Sequence, residues 1–303
     1  MSDSRETNHG AAPRRIVGTK RFREAMPKPI STRIFTVANQ KGGVGKTTSA
    51  VNIGAALAMG GLRTLIIDLD PQGNASTAFG ISRDEVNGMY EVITKDVPIN
   101  DATLKIPGYP HLEVIPATQS LANAEVELVP MVARELRLKK ALTHYLNECA
   151  NNGERFDYVI IDCPPSLGLL TINALVAADE LLIPIQCEYY SLEGLTLLLH
   201  TVSLIQEHLN PNIKLSTIVL TMFDGRTRLA NDVADEVRKH YPDQLIDIPI
   251  PRAVRVSEAP SYGQTVMTYD PASNGAEAYA LVAREIARRG APSISSISEV
   301  GVG

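Results

Sequence analysis

Val37-Ala38-Asn39-Gln40-Lys41-Gly42-Gly43-Val44-Gly45-Lys46-Thr47-Thr48-Ser49 decides the fold of this chain. Ahead of it, the β-branched and aromatic run Ile34 to Ala38 predicts a buried strand, and behind it the Ala-rich run Ser49 to Met59 predicts a helix. The loop between them is a strand-to-helix turn. Glycines at 42, 43 and 45 let the backbone curl with its N–H groups inward, around Val44 and up to Thr48. With the positive helix end this makes a cradle for phosphate oxygens. Lys46 is placed to put a point charge between the outer two phosphates, and the Thr47 hydroxyl to be a magnesium ligand. The usual spacing asks for glycine at 40, where this chain has Gln40. It has a second lysine instead, Lys41. A lysine so early in the loop is expected to serve a neighbour's phosphates across a subunit interface; the plainer alternative is a Gly-rich turn with two solvated lysines.

Two further strand ends carry acids. Thr64 to Ile67 predicts a buried strand running into Asp68-Leu69-Asp70-Pro71-Gln72-Gly73-Asn74, with both acids on one side. Phe156 to Ile161 predicts another, closing on Asp162-Cys163-Pro164-Pro165-Ser166. Acids at the carboxyl ends of parallel strands sit where ligands bind in open α/β sheets. A nucleotide-bound metal needs a carboxylate reached through a water, the role expected of Asp162.

Elsewhere the pattern predicts strands at 111–116, 180–186, 214–222 and 245–250, and helices over 121–150 (broken near Pro130), 191–209 and 275–289. Strands alternating with helices imply an α/β fold, a doubly wound, mostly parallel sheet with helices on both faces. Residues 1–32 are polar and mildly basic and are expected to be a disordered arm, either a passive tail or an auxiliary contact to DNA or a partner. Residues 33–290 are expected to form the phosphate-loop domain and 291–303 a disordered tail.

At 303 residues and 44% hydrophobic content the chain has enough apolar material for one large domain. No run of about 18 apolar residues and no apolar leader core is present, so a cytoplasmic protein is expected. The three scattered cysteines, Cys149, Cys163 and Cys187, fit buried thiols better than a disulfide framework or a zinc or iron–sulfur site. A net charge of −5 argues against a globally basic nucleic-acid binder. GTP specificity usually rests on an Asn-Lys-x-Asp element, which the sequence lacks, so ATP is the expected nucleotide.

Lys-Gly-Gly-x-Gly-Lys-Thr-Thr at 41–48 resembles the signature-lysine branch of P-loop ATPases. With Asp68 to Asn74, Asp162 to Ser166, Thr221-Met222-Phe223-Asp224 and Pro251 to Pro260, in order across about 32–290, the chain resembles the chromosomal ParA/Soj partition ATPases. The resemblance implies a Mg2+- and ATP-dependent homodimer that binds DNA without sequence preference, sits on the nucleoid, and is released when a centromere-bound ParB-type partner stimulates hydrolysis. It places Asp68 near the metal's water shell and gives Asp70 the attacking water. Lys41 and Lys46 become the catalytic cations, with adenine near Met222 and the Pro249 to Pro251 segment. Arg226 and Arg255 match DNA-contacting arginines, although 214–258 holds seven basic and seven acidic residues and is not a basic domain. A MinD-like membrane ATPase is the nearest rival. It needs a basic amphipathic C-terminal helix with large apolar residues, where this chain is Ala-rich and acid-containing, so no membrane partner is expected. A ParA-like protein that positions another cargo remains an open alternative.

Overall fold

The computed structural model describes residues 22, 24–84, 86–188 and 191–292, with 191–193 by backbone alone. Eight strands form one sheet: β1 (Arg33–Val37), β2 (Thr64–Asp68), β3 (Leu104–Lys105), β4 (Leu112–Ile115), β5 (Tyr158–Asp162), β6 (Glu180–Gln186), β7 (Lys214–Thr221) and β8 (Leu245–Ile246). Their spatial order is β3-β4-β2-β5-β1-β6-β7-β8, parallel throughout except for the short β3 against β4.

Because side chains alternate along a strand, each central strand feeds two cores. Phe35, Ile66 and Ile160 pack with α1 (Lys46–Met59) and the final helix α12 (Asn274–Gly290). Leu65, Ile67, Val159 and Ile161 face the other way, onto α3 (Met89–Lys95), α5 (Leu121–Leu128), α6 (Arg137–Asn151) and α7 (Leu169–Ala177). Ile183 and Ile218 pack on that same side with α8 (Ser191–His208) and α9 (Arg228–His240). Helix α1 is buried almost all round, from Ser49 to Ala58, as expected of a central helix clamped between a sheet and another helix. Gly54 allows that clamp: a Cβ there would lie 2.6 Å from Ile66 Cδ1.

The remaining elements are short: α2 (Asn74–Ala78), α4 (Ile99–Ala102), α10 (Val254–Glu258), α11 (Val266–Tyr269) and 3-10 turns at Arg134–Leu136 and Ala259–Tyr262. Sequence pattern missed the short helices because four or five residues carry too little periodicity. The expected break near Pro130 is an interruption from 129 to 136, with Ala133 at φ 52°. The last strand is two residues long, not six.

The N-terminal boundary also differs from expectation. Residues 24–32, assigned to the arm, lie on the domain: Met26 is buried and its N–H donates to the Gly60 carbonyl at 3.0 Å. Arg155 donates to the carbonyls of Pro29 and Ile30 at 2.8 and 2.6 Å, and Thr32 to that of Phe156 at 2.6 Å. Two apolar residues, Phe22 and Met26, sufficed to seat a segment whose average composition is polar. Residues 1–21, 23 and 293–303 lie outside the described residues.

Arg33, at the start of β1, donates two hydrogen bonds to the Glu180 carboxylate at 2.6 and 2.7 Å and one to the Ile286 carbonyl at 2.8 Å. The pair fastens two central strands to α12 in a half-buried setting where losing one partner would strand a charge.

If residues 24–32 belong to the domain, Met26→Ala will lower stability by about 2 kcal/mol through the cavity it leaves. Denaturant titration checks this, and an unchanged midpoint would return the segment to the arm.

Candidate nucleotide site

β1, β2 and β5 are neighbours, and their carboxyl ends lie at one edge of the sheet. Val37 and Asp68 are both register partners of Asp162. β1 is flanked by β5 and β6, which makes this the topological switch point of the sheet, where open α/β folds keep their ligand crevice.

The phosphate loop leaves β1 here. Gly43 and Gly45 have φ of 74° and 84°, a left-handed backbone that only glycine adopts without strain, and Gly45 opens α1. Asn39 anchors the entry: its amide donates to the Pro184 carbonyl at 2.8 Å and its side-chain oxygen accepts from the Lys41 N–H at 3.0 Å. Thr221, at the end of β7, donates to the Val44 carbonyl at 2.8 Å and ties the loop to the far side of the sheet. Lys46 folds back onto the loop, donating to the Lys41 carbonyl at 3.1 Å.

Asp68, Asp162 and Lys46 are buried together beside this loop, next to the buried Asp70. Asp162 is fully buried, and neither carboxylate oxygen meets hydrogen-bond geometry with a described residue, although the Thr47 hydroxyl is near enough to oppose the rise in its pKa. Burial, then the neighbouring Asp68 carboxylate, push its pKa well above the ordinary range. Asp68 is pushed up to about 6, chiefly by burial. The Ser76 N–H and hydroxyl, each 2.7 Å from its Oδ2, pull the other way. Burial lowers Lys46, with Asp162 and Asp70 opposing that shift.

An unpartnered buried carboxylate is the donor a hard divalent cation takes, and Thr47 adds a hydroxyl beside the same loop. Among the described residues no cluster of three or more His, Cys, Asp or Glu is arranged to hold a metal. Mg2+ is commonly held by one or two carboxylates together with substrate phosphates. Asp68, expected near the metal's water shell, accepts from the Ser76 N–H and hydroxyl and from the Asp70 N–H at 3.3 Å. Its visible work is to fix the start of α2.

A cleft of about 510 Å³ opens over the loop, lined by Gly42, Gly43, Gly45, Lys46, Thr47 and Thr48, by Asp70, and by Met222. Val44 is buried behind the loop, so its side chain serves packing. Met222 has φ 48°, a strained conformation for a non-glycine residue, at the end of β7. Of the residues expected near adenine, Met222 lines the cleft, while Pro249 and Pro251 are half-buried and outside its lining, Pro251 being paired with Phe223 across a short parallel bridge. The opposite wall is Val256, Ser257, Pro260 and Gln264. Asp70 lines the cleft and is 6% exposed; its Oδ1 accepts from the Gln72 N–H at 3.0 Å.

Lys41 does not point into its own cleft's lining. Its ammonium is paired with Glu188 at 2.5 Å, and Glu188 also accepts from Gln186 Nε2 at 2.5 Å. Nothing in sequence spacing signalled Glu188, 147 residues away. The two candidate DNA arginines are exposed and engaged in ion pairs. Arg226 donates twice to Asp224, at 2.8 and 2.7 Å, and those bonds hold Asp224 down at about 2. Arg255 lies 3.1 Å from Glu258 and 3.6 Å from Asp270.

A carboxyl whose folded pKa is raised keeps its proton while the unfolded chain loses it, so its destabilising effect begins above the ordinary carboxylate range and grows until pH reaches the raised value. Ligand-free Asp162→Asn is therefore expected to melt higher than the wild type at about pH 8 and by a smaller margin at about pH 5. Thermal melts at the two pH values check this; a margin that shrinks as pH rises contradicts it.

A family model described as an AAA domain matches residues 32–215. The chain is 51% identical over 259 residues to the sporulation initiation inhibitor protein Soj of Bacillus subtilis, covering 85% of this chain and 99% of that one. It is 49% identical over 261 residues to the chromosome partitioning protein ParA of Myxococcus xanthus, covering 86% and 89%. Among solved structures, a cobyrinic acid a,c-diamide synthase from Mycobacterium smegmatis with bound ADP and magnesium is 37% identical, with a TM-score of 0.72 over 85% of this chain and 95% of that one. A signature-lysine loop, the paired acid-ended strands beside it and half-identity across nearly the whole of these relatives lead to one conclusion: the chain belongs to the ParA/Soj family of chromosome-partitioning ATPases.

Proposed function

We propose that this protein binds ATP with Mg2+, pairs with a second copy when loaded, holds DNA without sequence preference, and lets go on hydrolysis stimulated by a centromere-bound ParB-type partner. The observation that carries the reading is Asp162, whose two unpartnered oxygens are buried beside Lys46 and the phosphate loop. On this reading the protein works in the cytoplasm, on the nucleoid.

Each chemical role falls to a residue already placed. The loop's N–H groups and the N-terminus of α1 take the phosphate oxygens, and Lys46 adds a charge between the outer two. Thr47 and Asp162 would hold Mg2+, which when bound neutralises charge on the phosphates. Asp70 gives one oxygen to Gln72 and keeps the other to orient a water. Lys41 leaves Glu188 to reach the partner's phosphates, so the competent site forms only in a pair. The Arg226 and Arg255 ion pairs are solvent-exposed, where such pairs are weak, and phosphates can replace their carboxylates. A membrane partner is disfavoured by α12, whose apolar residues Tyr279, Val282, Ala283 and Ile286 are buried in the core. No helix among the described residues is long and apolar enough to cross a membrane.

Lys41→Ala is expected to bind ATP and remain a single subunit, where the wild type doubles its mass by light scattering; a variant that still doubles removes Lys41 from the interface. Arg255→Glu is expected to pair normally yet bind DNA more weakly. For the wild type, log affinity against log salt should fall with a slope of roughly −4 to −5, for about four to six phosphates neutralised. A salt-independent affinity, or a variant with unchanged affinity, would move the DNA surface elsewhere.

A further inference from the structure

Arg83 lies outside the cleft lining, yet its guanidinium holds the turn that carries Asp70. Its Nη1 donates to the Gln72 carbonyl at 2.7 Å and its Nη2 to that of Pro71 at 2.5 Å. Its Nε donates to the Ala117 carbonyl at 2.8 Å, and Nη2 reaches that of Thr118 at 3.4 Å. Pro71 and Gln72 follow Asp70 directly, and Ala117 and Thr118 follow β4, the strand paired with β2. One side chain therefore bolts the loop after β2 to the loop after β4.

The planar fork suits this task, since it offers five donors in fixed directions. It rests on Gly73, where a Cβ would lie 2.3 Å from Nε, and Gly73 has φ 65°. The turn beneath it is closed by the Gly73 N–H to the Asp70 carbonyl at 2.8 Å and the Gln72 N–H to Asp70 Oδ1 at 3.0 Å. A second tie completes a ring: the Ala117 N–H donates to Ser76 Oγ at 3.1 Å, and Ser76 in turn bonds Asp68. Without Arg83 the outer carbonyls of the turn would face water, and the Asp70 carboxylate would keep only its local bonds.

We propose that Arg83 is a positioning residue for hydrolysis, fixing the Asp70 turn by bridging the Pro71 and Gln72 carbonyls to those of Ala117 and Thr118. The inference rests on the reading that Asp70 orients the attacking water. A misplacement of the order of 1 Å costs about 100-fold in rate, whereas phosphate affinity comes from the separate loop at 41–48.

The test compares wild type, Arg83→Ala and Arg83→Lys by ATP affinity, single-turnover hydrolysis with Mg2+, and hydrogen exchange of the Gln72 and Gly73 amides. Arg83→Ala should hold ATP within about threefold of the wild type, hydrolyse it about 10- to 100-fold more slowly and exchange both amides faster. Arg83→Lys, with one ammonium in place of a fork, should recover only part of the rate. Hydrolysis within about twofold of the wild type in Arg83→Ala, or in Arg83→Lys should the alanine variant not fold, would overturn the proposal. So would a loss of ATP affinity equal to the loss of rate. If the wild type itself leaves ATP intact, the enzymatic reading falls, and unchanged amide exchange would then refute the claim that Arg83 holds the turn.

Discussion

The structure depends on one electrostatic constraint: two carboxylates and one ammonium buried together where three parallel strands end. Asp68 and Asp162 are opposite each other on β2 and β5, and Lys46 arrives from the loop after β1. Burial works against charge on all three, raising the acids and lowering the lysine. A fold that only needed stability would place apolar residues there. The arrangement is reasonable as one half of a larger charge set, completed by a cation and a polyphosphate.

The surrounding packing serves that constraint. Helix α1 must point its N-terminus at the cleft, and it is held by Gly54 against Ile66, by Asn52 Oδ1 accepting from the Val266 N–H at 2.9 Å, and by α12 behind it. Short helix α10 carries Val256 and Ser257 on the cleft wall and Arg255 on the surface. The cleft wall and the exposed Arg255 therefore share five residues of backbone. The Lys41–Glu188 pair lies partly exposed beside the same loop.

Much of this was legible in the sequence because it follows from local rules. The strand–glycine–lysine–helix run located the loop, and two apolar runs ending in Asp68 and Asp162 located the acids. What escaped depends on contacts across long separations or on very short elements. Glu188 meets Lys41 from another strand end, and Arg83 reaches Ala117 from 34 residues away. The cleft wall formed by α10 also escaped the sequence, since a five-residue helix leaves no periodic signal. Composition averages also hide the two apolar residues, Phe22 and Met26, by which the segment before β1 packs on the core.

The most direct test of the central claim is a calorimetric titration of ATP into the protein with Mg2+ and again with the divalent cation chelated. If the buried charges at β1, β2 and β5 await a metal–triphosphate pair, binding is saturable with Mg2+ and at least about tenfold weaker without it. Equal affinity in the two titrations, or no binding in either, would contradict the account.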